Sequence, residues 1–577
     1  MRKWTARYPD RLAYELAEFD RRGLSFRPDE AALADRGMLV IRGSIRWRQQ
    51  DVELVVAYPD SFPFMRPEVY APGLALGRHQ NPIEHNLCLL DRSSRAWQVS
   101  DSGAWLVAER VPHLLELLEA GGKELAAGEV PQGEPESYYF QGQAGAVVFI
   151  PEQMLDLRAD DRVGILEIAL GTNETPQQLL RGCLAKVAVR SRKGKKQTRA
   201  EFTDPPRSRF AGERLEGRWV RLGHFPSRNQ PRDILDAVAA VESAIAQPHW
   251  QSLATGWDIS ILGVVAPEEV RQGEWEDAWL FVVSLRRPGT DATTSYIVKG
   301  ERLTAADLQE RLPAPARLEG KHVGLAGLGA LGAPLATELL RLQVSELHVL
   351  DGDRVEAGNI VRWPLGLSAV SHEKAAVMAG WGLAEYPFTV TKGWTHRIGV
   401  VREDTVPPPN GQDETQVLED FFDGLDLLAD ATAELGVQHL LSTLADDARI
   451  PQVYAWGTEG GWGGAVARVV PGRTGCWYCL QLALDEGTIP LPPAAPAASL
   501  QPRGCAEPTF VAAGYALSPI IAQAVRLIAR TLRGDGGEDV FICELEDQGG
   551  ELPAPRWTSY PLAVDKRCPC ADRAVAA

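Results

Sequence analysis

Three sets of residues have types and spacing that suit chemistry. The first is the run Gly327-Leu328-Gly329-Ala330-Leu331-Gly332, with Asp351 further on. Glycines so spaced let backbone N–H groups approach a phosphate at a helix N-terminus, and an acid closing the next strand can hold a ribose hydroxyl. An adenine nucleotide is expected, but the loop alone does not say which. Asp353, Asn359, Arg362 and Lys374 follow, and Asp430 lies later. One amide and two cations placed after a ribose acid suit a triphosphate attacked at its α-phosphate while pyrophosphate leaves. A dehydrogenase would share the glycines and the acid but not this series.

The second set is made of thiols. Of eight cysteines, four form the close pairs Cys476-x-x-Cys479 and Cys568-x-Cys570. Four thiolates make a closed tetrahedral zinc site, and sequence-distant pairs can meet in space. A redox Cys-x-x-Cys is the alternative, without the thioredoxin-like context it expects. Cys505 has no nearby cysteine. It lies beside Arg503, ahead of a helix expected over Thr509–Leu532. A helix N-terminus and a guanidinium lower a thiol pKa, and the thiolate is the nucleophile. Cys183, in an amphipathic stretch, and Cys543, in the strand-like run Val540-Phe541-Ile542-Cys543, read as core. The third set is His79-Gln80-Asn81, then Cys88 and Trp97.

The elements that must position these residues are legible as patterns. Val323–Ala326 reads as a buried strand, an amphipathic helix runs to about Leu342, and Leu347–Leu350 is a second strand ending on Asp351. A strand over Leu425–Leu428 ends at Asp430-Ala431-Thr432, and Lys374 heads a helix. Alternating strands and helices predict a doubly wound α/β domain with ligands at the carboxyl ends of the strands. Near the N-terminus, a helix over Pro9–Phe19 precedes strands at Met38–Trp47, Val52–Tyr58 and Glu68–Tyr70, which predict an antiparallel meander. The turn Tyr58-Pro59-Asp60-Ser61-Phe62-Pro63-Phe64-Met65-Arg66-Pro67 is stiffened by proline, and a helix over Trp105–Leu118 closes this domain. Residues 129–143 read as a linker. A middle region of mixed α/β patterning follows, with strands at Gly145–Ile150, Val163–Leu170 and Trp279–Leu285, a helix over Pro231–Ala246, and the basic run Arg190–Lys196 as a solvated loop or docking patch. The expected domains are 1–140, 144–312 and 313–577: an α/β and α+β multidomain chain.

Composition narrows the class. The 577 residues are 45% hydrophobic and 24% charged, which is globular. Acidic residues outnumber basic ones 77 to 60, so a dedicated nucleic-acid binder is not expected. No apolar run reaches membrane-spanning length and the N-terminus lacks a signal-peptide core, so no membrane partner and a cytoplasmic location are expected.

A helix, a meander, a Tyr-Pro…Pro turn, a His-x-Asn, a cysteine and a tryptophan occur in this order in ubiquitin-conjugating enzymes, and residues 1 to about 140 resemble that fold. The resemblance implies that Cys88 carries a thioester and that Asn81 stabilises the oxyanion formed when a lysine attacks it. Gln80 replaces the family's proline, the Asn81-to-Cys88 spacing is one residue short, and Asn86 is a rival donor. From about Lys321 onward, D-G-D-x-V-x-x-x-N-x-x-R followed by Lys374 resembles the ubiquitin-activating and ThiF/MoeB-type adenylyltransferases. That likeness implies ATP and Mg2+. Asp351 would grip the ribose, with Asn359, Arg362 and Lys374 on the phosphates. In the bacterial homodimers the arginine comes from the partner subunit, so a homodimer is implied. The family's second Asp-x-Thr-Asp acid is Ala433 here, and Asp430, Asp353 or Glu434 would compensate. The family's crossover-loop thioester cysteine corresponds to Cys505, and its paired cysteines imply a structural Zn2+.

The whole arrangement resembles the fused conjugating–activating enzymes of bacterial anti-phage operons, among them the CBASS fusion that attaches a cGAS-like nucleotidyltransferase. The expected partner is a protein modifier with a C-terminal glycine, either a ubiquitin-like protein or such a nucleotidyltransferase. Target proteins are the acceptors. Sulfur-carrier activation and a nucleotide-gated scaffold are the alternatives.

Overall fold

The computed structural model describes residues 3–76, 78–90, 96–119, 135–171, 180–190, 196–201, 210–228, 230–271, 273–400, 413–496, 498–500, 509–547, 551 and 554–571. Described residues up to Leu303 form one compact unit, and those from Thr304 onward form another.

In the first unit, helix α1 (Pro9–Arg21) packs on a meander of β1 (Val40–Trp47), β2 (Gln50–Ala57) and β3 (Glu68–Tyr70). Alternation drives this: Leu54, Val56 and Val69 point inward, joining Phe19, Phe62 and Leu106 in one core. The closing helix opens on an α-helical turn at Gly103–Trp105, passes through a π-helical stretch at Leu106–Arg110 and continues as α2 (Val111–Glu119). Buried Glu15 ties three segments together. It accepts from Tyr58 Oη at 2.7 Å and Gly103 N at 2.9 Å, and pairs with Arg11 at 2.8 Å.

Beyond this meander the chain is mostly strand: β4 (Val147–Pro151), β5 (Val163–Leu170), β6 (Arg181–Arg190), β7 (Arg214–Arg221), β8 (Asp258–Arg271), β9 (Glu274–Arg286) and β10 (Thr293–Leu303). They follow the order β8-β9-β10-β4-β6-β5-β7, and β7 returns to β8 through a parallel pairing from Leu262↔Arg218 to Val265↔Arg221. The sheet therefore closes into a barrel around Trp219, Trp279 and Phe281. The helix expected over Pro231–Ala246 breaks at Glu242, whose extended φ of −151° separates α3 (Pro231–Val241) from a single turn at Ser243–Ala246. The described part of the expected linker is docked on this barrel. Phe140 is buried, and Ser137 donates from both N and Oγ to Glu268 at 2.9 Å.

The second unit contains β11 (His322–Ala326), α4 (Gly332–Arg341), β12 (Glu346–Leu350), α5 (Lys374–Glu385), β13 (Val390–Trp394), β14 (Leu427–Asp430), α6 (Leu435–Asp447), β15 (Gln452–Gly457), β16 (Gly463–Val469), α7 (Trp477–Asp485), α8 (Gly514–Leu532), β17 (Val540–Glu544) and β18 (Arg556–Tyr560). Sheet order is β13-β12-β11-β14-β15-β16-β17-β18. The first five strands are parallel, and β16 to β18 add antiparallel pairs. The chain winds outward from β11 in both directions, so the crevice between β11 and β14 is the topological switch point. Two boundaries differ from expectation. The strand expected at Leu425–Leu428 spans Leu427–Asp430 instead, its apolar row continuing through Ala429. Helix α8 starts at Gly514, since Thr509–Phe510 instead pairs with Ser499–Leu500.

Candidate functional site

Leu350, Ala326, Asp430 and Tyr454 form one row across β12, β11, β14 and β15. The glycine run begins one residue beyond this row, at the switch point. Gly327 has φ +82°, and a Cβ there would stand 2.8 Å from the Ala431 carbonyl. A side chain at Gly332 would strike the carbonyl oxygen of Gly327, while Gly329 faces open space. The turn is therefore tight where it meets the sheet and open where a ligand would lie. Asp351 holds the same turn: Oδ2 accepts from Leu328 N at 2.6 Å, and Oδ1 accepts from Asp353 N at 2.8 Å. Burial raises its pKa, opposed by the charge of Lys374. Buried Trp363 was not singled out by its pattern. It donates to Leu328 O at 2.7 Å and supports the loop from beneath.

Lys374, 8% exposed, heads α5 and places Nζ 2.9 Å from Asp353 Oδ2. Arg362 donates to Thr509 Oγ1 at 3.0 Å, and burial lowers its pKa. Asn359 lies in the short 3-10 turn Ala357–Val361, where its Oδ1 accepts from Glu356 N at 2.9 Å. That bond leaves the amide Nδ2 to donate. Asp430 is 1% exposed. Its Oδ1 accepts from Thr432 N and Oγ1 at 2.9 and 2.7 Å, and its Oδ2 has no hydrogen-bond partner among the described residues. Burial pushes its pKa up to about 6. Ala433 adopts φ +53°, presenting a methyl group where the resembling enzymes have a carboxylate.

The sulfurs of Cys476, Cys479, Cys568 and Cys570 lie within 4.8 Å of one another. Cys476–Cys568 and Cys479–Cys570 are 3.4 Å apart, and Asp565 N donates to Cys479 Sγ at 3.3 Å. Burial pushes the Cys476 thiol up to about 11. Four thiolates on a tetrahedral zinc at ~2.3 Å would stand roughly 3.8 Å apart, so the donor set and spacing fit that ion. Cys505 lies outside the described residues. Because α8 begins at Gly514, the helix-terminus argument for its reactivity loses its basis.

Cys88 is exposed and sits in a small ladder. Asn81 N donates to Asn86 O at 2.9 Å and Cys88 N to His79 O at 2.8 Å, flanking a bridge between Gln80 and Leu87. Gln80 and Leu87 are buried, His79, Asn81 and Asn86 are half-buried, and Cys88 is exposed. Asn81 Oδ1 caps its own turn, accepting from Ile83 N at 2.9 Å and Glu84 N at 3.1 Å. Gln80 carries a role that sequence reasoning missed. Its Oε1 accepts from Leu76 N at 2.8 Å, and its Nε2 donates to the carbonyls of Ala71 and Leu74 at 3.2 Å and His85 at 3.4 Å. A proline there would make none of these bonds. The barrel also grips this loop: Arg78 pairs with Glu269 at 2.6 Å, and Ile83 packs among Val220, Val264 and Leu280.

No helix among the described residues is long and apolar enough to cross a membrane. Residues 306–531 match the ThiF family. The chain is 31% identical to uncharacterized protein y4oA of Sinorhizobium fredii, over 98% of this chain and 97% of that protein. It is 29% identical to y4qC of the same organism, over 95% of this chain and 94% of that one. A shorter match, 33% identical over 14% of each chain, is to the ATP-dependent ubiquitin transferase-like protein Cap2 of Enterobacter hormaechei.

Proposed function

Because this chain belongs to the family of y4oA and carries a ThiF-type adenylyltransferase domain, we propose that it activates a protein modifier with ATP and passes it through two cysteines to a target amine. The observation that carries the reading is the edge at the switch point: the Gly327 turn, Asp351 and Lys374 converge there, with Asp430 in the adjoining row. A carboxylate at the modifier's C-terminal glycine attacks the α-phosphorus, pyrophosphate leaves, and an acyl-adenylate results. Lys374 offsets charge on the phosphates and the Asn359 amide donates to them, where preorganised donors act most strongly. Asp351 holds the ribose. Asp430 Oδ2, buried and unpartnered, fits a role in holding Mg2+, with Asp353 as its companion. The four clustered thiols fit Zn2+, which would tie the C-terminal tail to α7.

The Cys505 thiolate then takes the acyl group and releases AMP. Cys88 receives it by thioester exchange, and an amine attacks the Cys88 thioester. Placing both cysteines on one chain raises their effective concentration. Asn81 is the proposed oxyanion donor, its amide being the group left after Oδ1 caps the turn. The modifier is a ubiquitin-like protein or a cGAS-like nucleotidyltransferase, and the proposed setting is antiviral defence, consistent with the likeness to Cap2. A homodimer, with Arg362 serving a partner's nucleotide, belongs to the same reading.

ATP–pyrophosphate exchange by the purified protein with its verified modifier tests this reading. Modifier-dependent exchange is expected, and its absence would sink the proposal.

A further inference from the structure

Leu328, inside the glycine turn, has both of its backbone groups bound by side chains from elsewhere in the fold. Asp351 Oδ2 accepts from its N–H at 2.6 Å, and the Trp363 indole Nε1 donates to its carbonyl at 2.7 Å. Asp351 follows β12, and Trp363 follows the 3-10 turn that carries Asn359. Trp363 is 6% exposed and packs in the same core as Leu328 and Leu331. The indole N–H is therefore spent on a buried carbonyl, away from water.

A trans peptide unit is planar, and its C=O and N–H point opposite ways. The unit joining Leu328 to Gly329 is trans. Holding the Leu328 carbonyl on Trp363 thus fixes the direction of the Gly329 N–H, which is aimed away from the indole. No group among the described residues accepts from that N–H, and the space beside Gly329 is open. The next amide is set in the same manner. Gly329 O accepts from Ala333 N at 3.2 Å, which turns the Ala330 N–H out beyond the N-terminus of α4. Successive N–H groups turned outward in this way make an anion-binding concavity.

We infer that Trp363 is a positioning residue of the nucleotide site: through the Leu328 carbonyl it aims the Gly329 N–H at a phosphate of ATP. The inference rests on the nucleotide site proposed above. The indole itself touches no phosphate. Asp351, which holds the Leu328 N–H, needs no help from Trp363 to meet the ribose. The effect of Trp363 therefore falls on the phosphates and spares the adenosine. Without an indole donor, the Leu328 carbonyl would be buried and unpaired, a costly state that rotation of the peptide unit relieves. That rotation carries the Gly329 N–H off line.

The test measures equilibrium binding of radiolabelled ATP to the full chain with magnesium present, and its displacement by adenosine. Two variants remove the donor. One is Trp363→Phe. The other places benzothienylalanine at position 363, which keeps the bicyclic shape and has sulfur in place of the ring N–H. In both, ATP affinity is expected to fall about tenfold, while adenosine affinity stays within about twofold. Unchanged ATP affinity in the benzothienylalanine variant overturns the inference. Equal weakening of ATP and adenosine also overturns it, since that marks a merely structural tryptophan. Failure of the wild-type chain to bind ATP instead overturns the nucleotide reading on which it rests.

Discussion

Lys374 Nζ lies 2.9 Å from Asp353 Oδ2, and Lys374 N donates to Asp353 O at the same distance. The double tie holds an almost buried cation at the head of α5, where the helix dipole opposes it and the carboxylate compensates. On the proposed reading, a triphosphate arriving there would meet a lysine already oriented. Lys374→Ala is expected to lower ATP–pyrophosphate exchange about 10²–10³-fold. Lys374→Arg should restore little, since a planar fork does not replace a compact ammonium. Exchange at the wild-type rate in Lys374→Ala would remove the lysine from the phosphate site.

The two proposed thioesters separate by mutation. Cys505→Ala should retain pyrophosphate exchange and lose reducible adducts at both cysteines. Cys88→Ala should accumulate a reducible adduct at Cys505 and lose transfer to targets. Mass spectrometry of adducts formed with ATP and modifier reads both outcomes, and normal conjugation by Cys88→Ala would refute the role given to that residue.

Asp430 makes stability depend on pH. Its folded pKa of about 6 stands above the ordinary aspartate value, because burial disfavours the charged form. The folded chain therefore binds a proton more tightly than the unfolded chain. The stability this contributes is fully present below the unfolded pKa of ~4 and is lost as pH rises through about 6. Asp430→Asn, which keeps an acceptor for Thr432, is expected to be more stable than wild type at about pH 8, by roughly 1–3 kcal/mol. The gap should close near pH 4. Parallel urea curves with no pH-dependent gap would count against a desolvated carboxylate, whatever the variant does to adenylation.

The cysteine cluster should carry metal. One zinc per chain is expected by elemental analysis, and cobalt substitution should give the strong thiolate-to-metal absorption of a four-sulfur tetrahedral site. Chelation should lower the melting temperature, because the bound ion favours the folded state. Cys568→Ser should weaken all three signals, whereas an oxidised Cys476–Cys479 pair with no metal would favour the redox reading.

Gln80 bonds backbone groups of four residues around the Cys88 loop, and the buried bond to Ala71 O is the costliest to abandon. Gln80→Ala is expected to lose about 2–3 kcal/mol of stability and to speed hydrogen exchange across the segments joining β3 to Cys88. Gln80→Pro, which introduces the residue of the resembling enzymes, should be no better. Wild-type stability in either variant would show the network to be incidental.

The sequence by itself determined what local pattern encodes. A short apolar run, a glycine turn, an amphipathic stretch and an acid left few foldings for residues 322–351, and the strand limits came out within a residue. Glycine spacing also set the turn after β11, because φ +82° at Gly327 and the close pass of Gly332 need residues without side chains. Tertiary structure decided whatever depends on pairing between distant strands. Val264 and Val220 close the barrel through a parallel contact that no periodicity announces. The start of α8 at Gly514 was set by Thr509–Phe510 finding a partner in Ser499–Leu500. Cys476 met Cys568 across 92 residues of chain. Alternation in a strand tells which residues share a face, and only the pairing tells which neighbour each one meets.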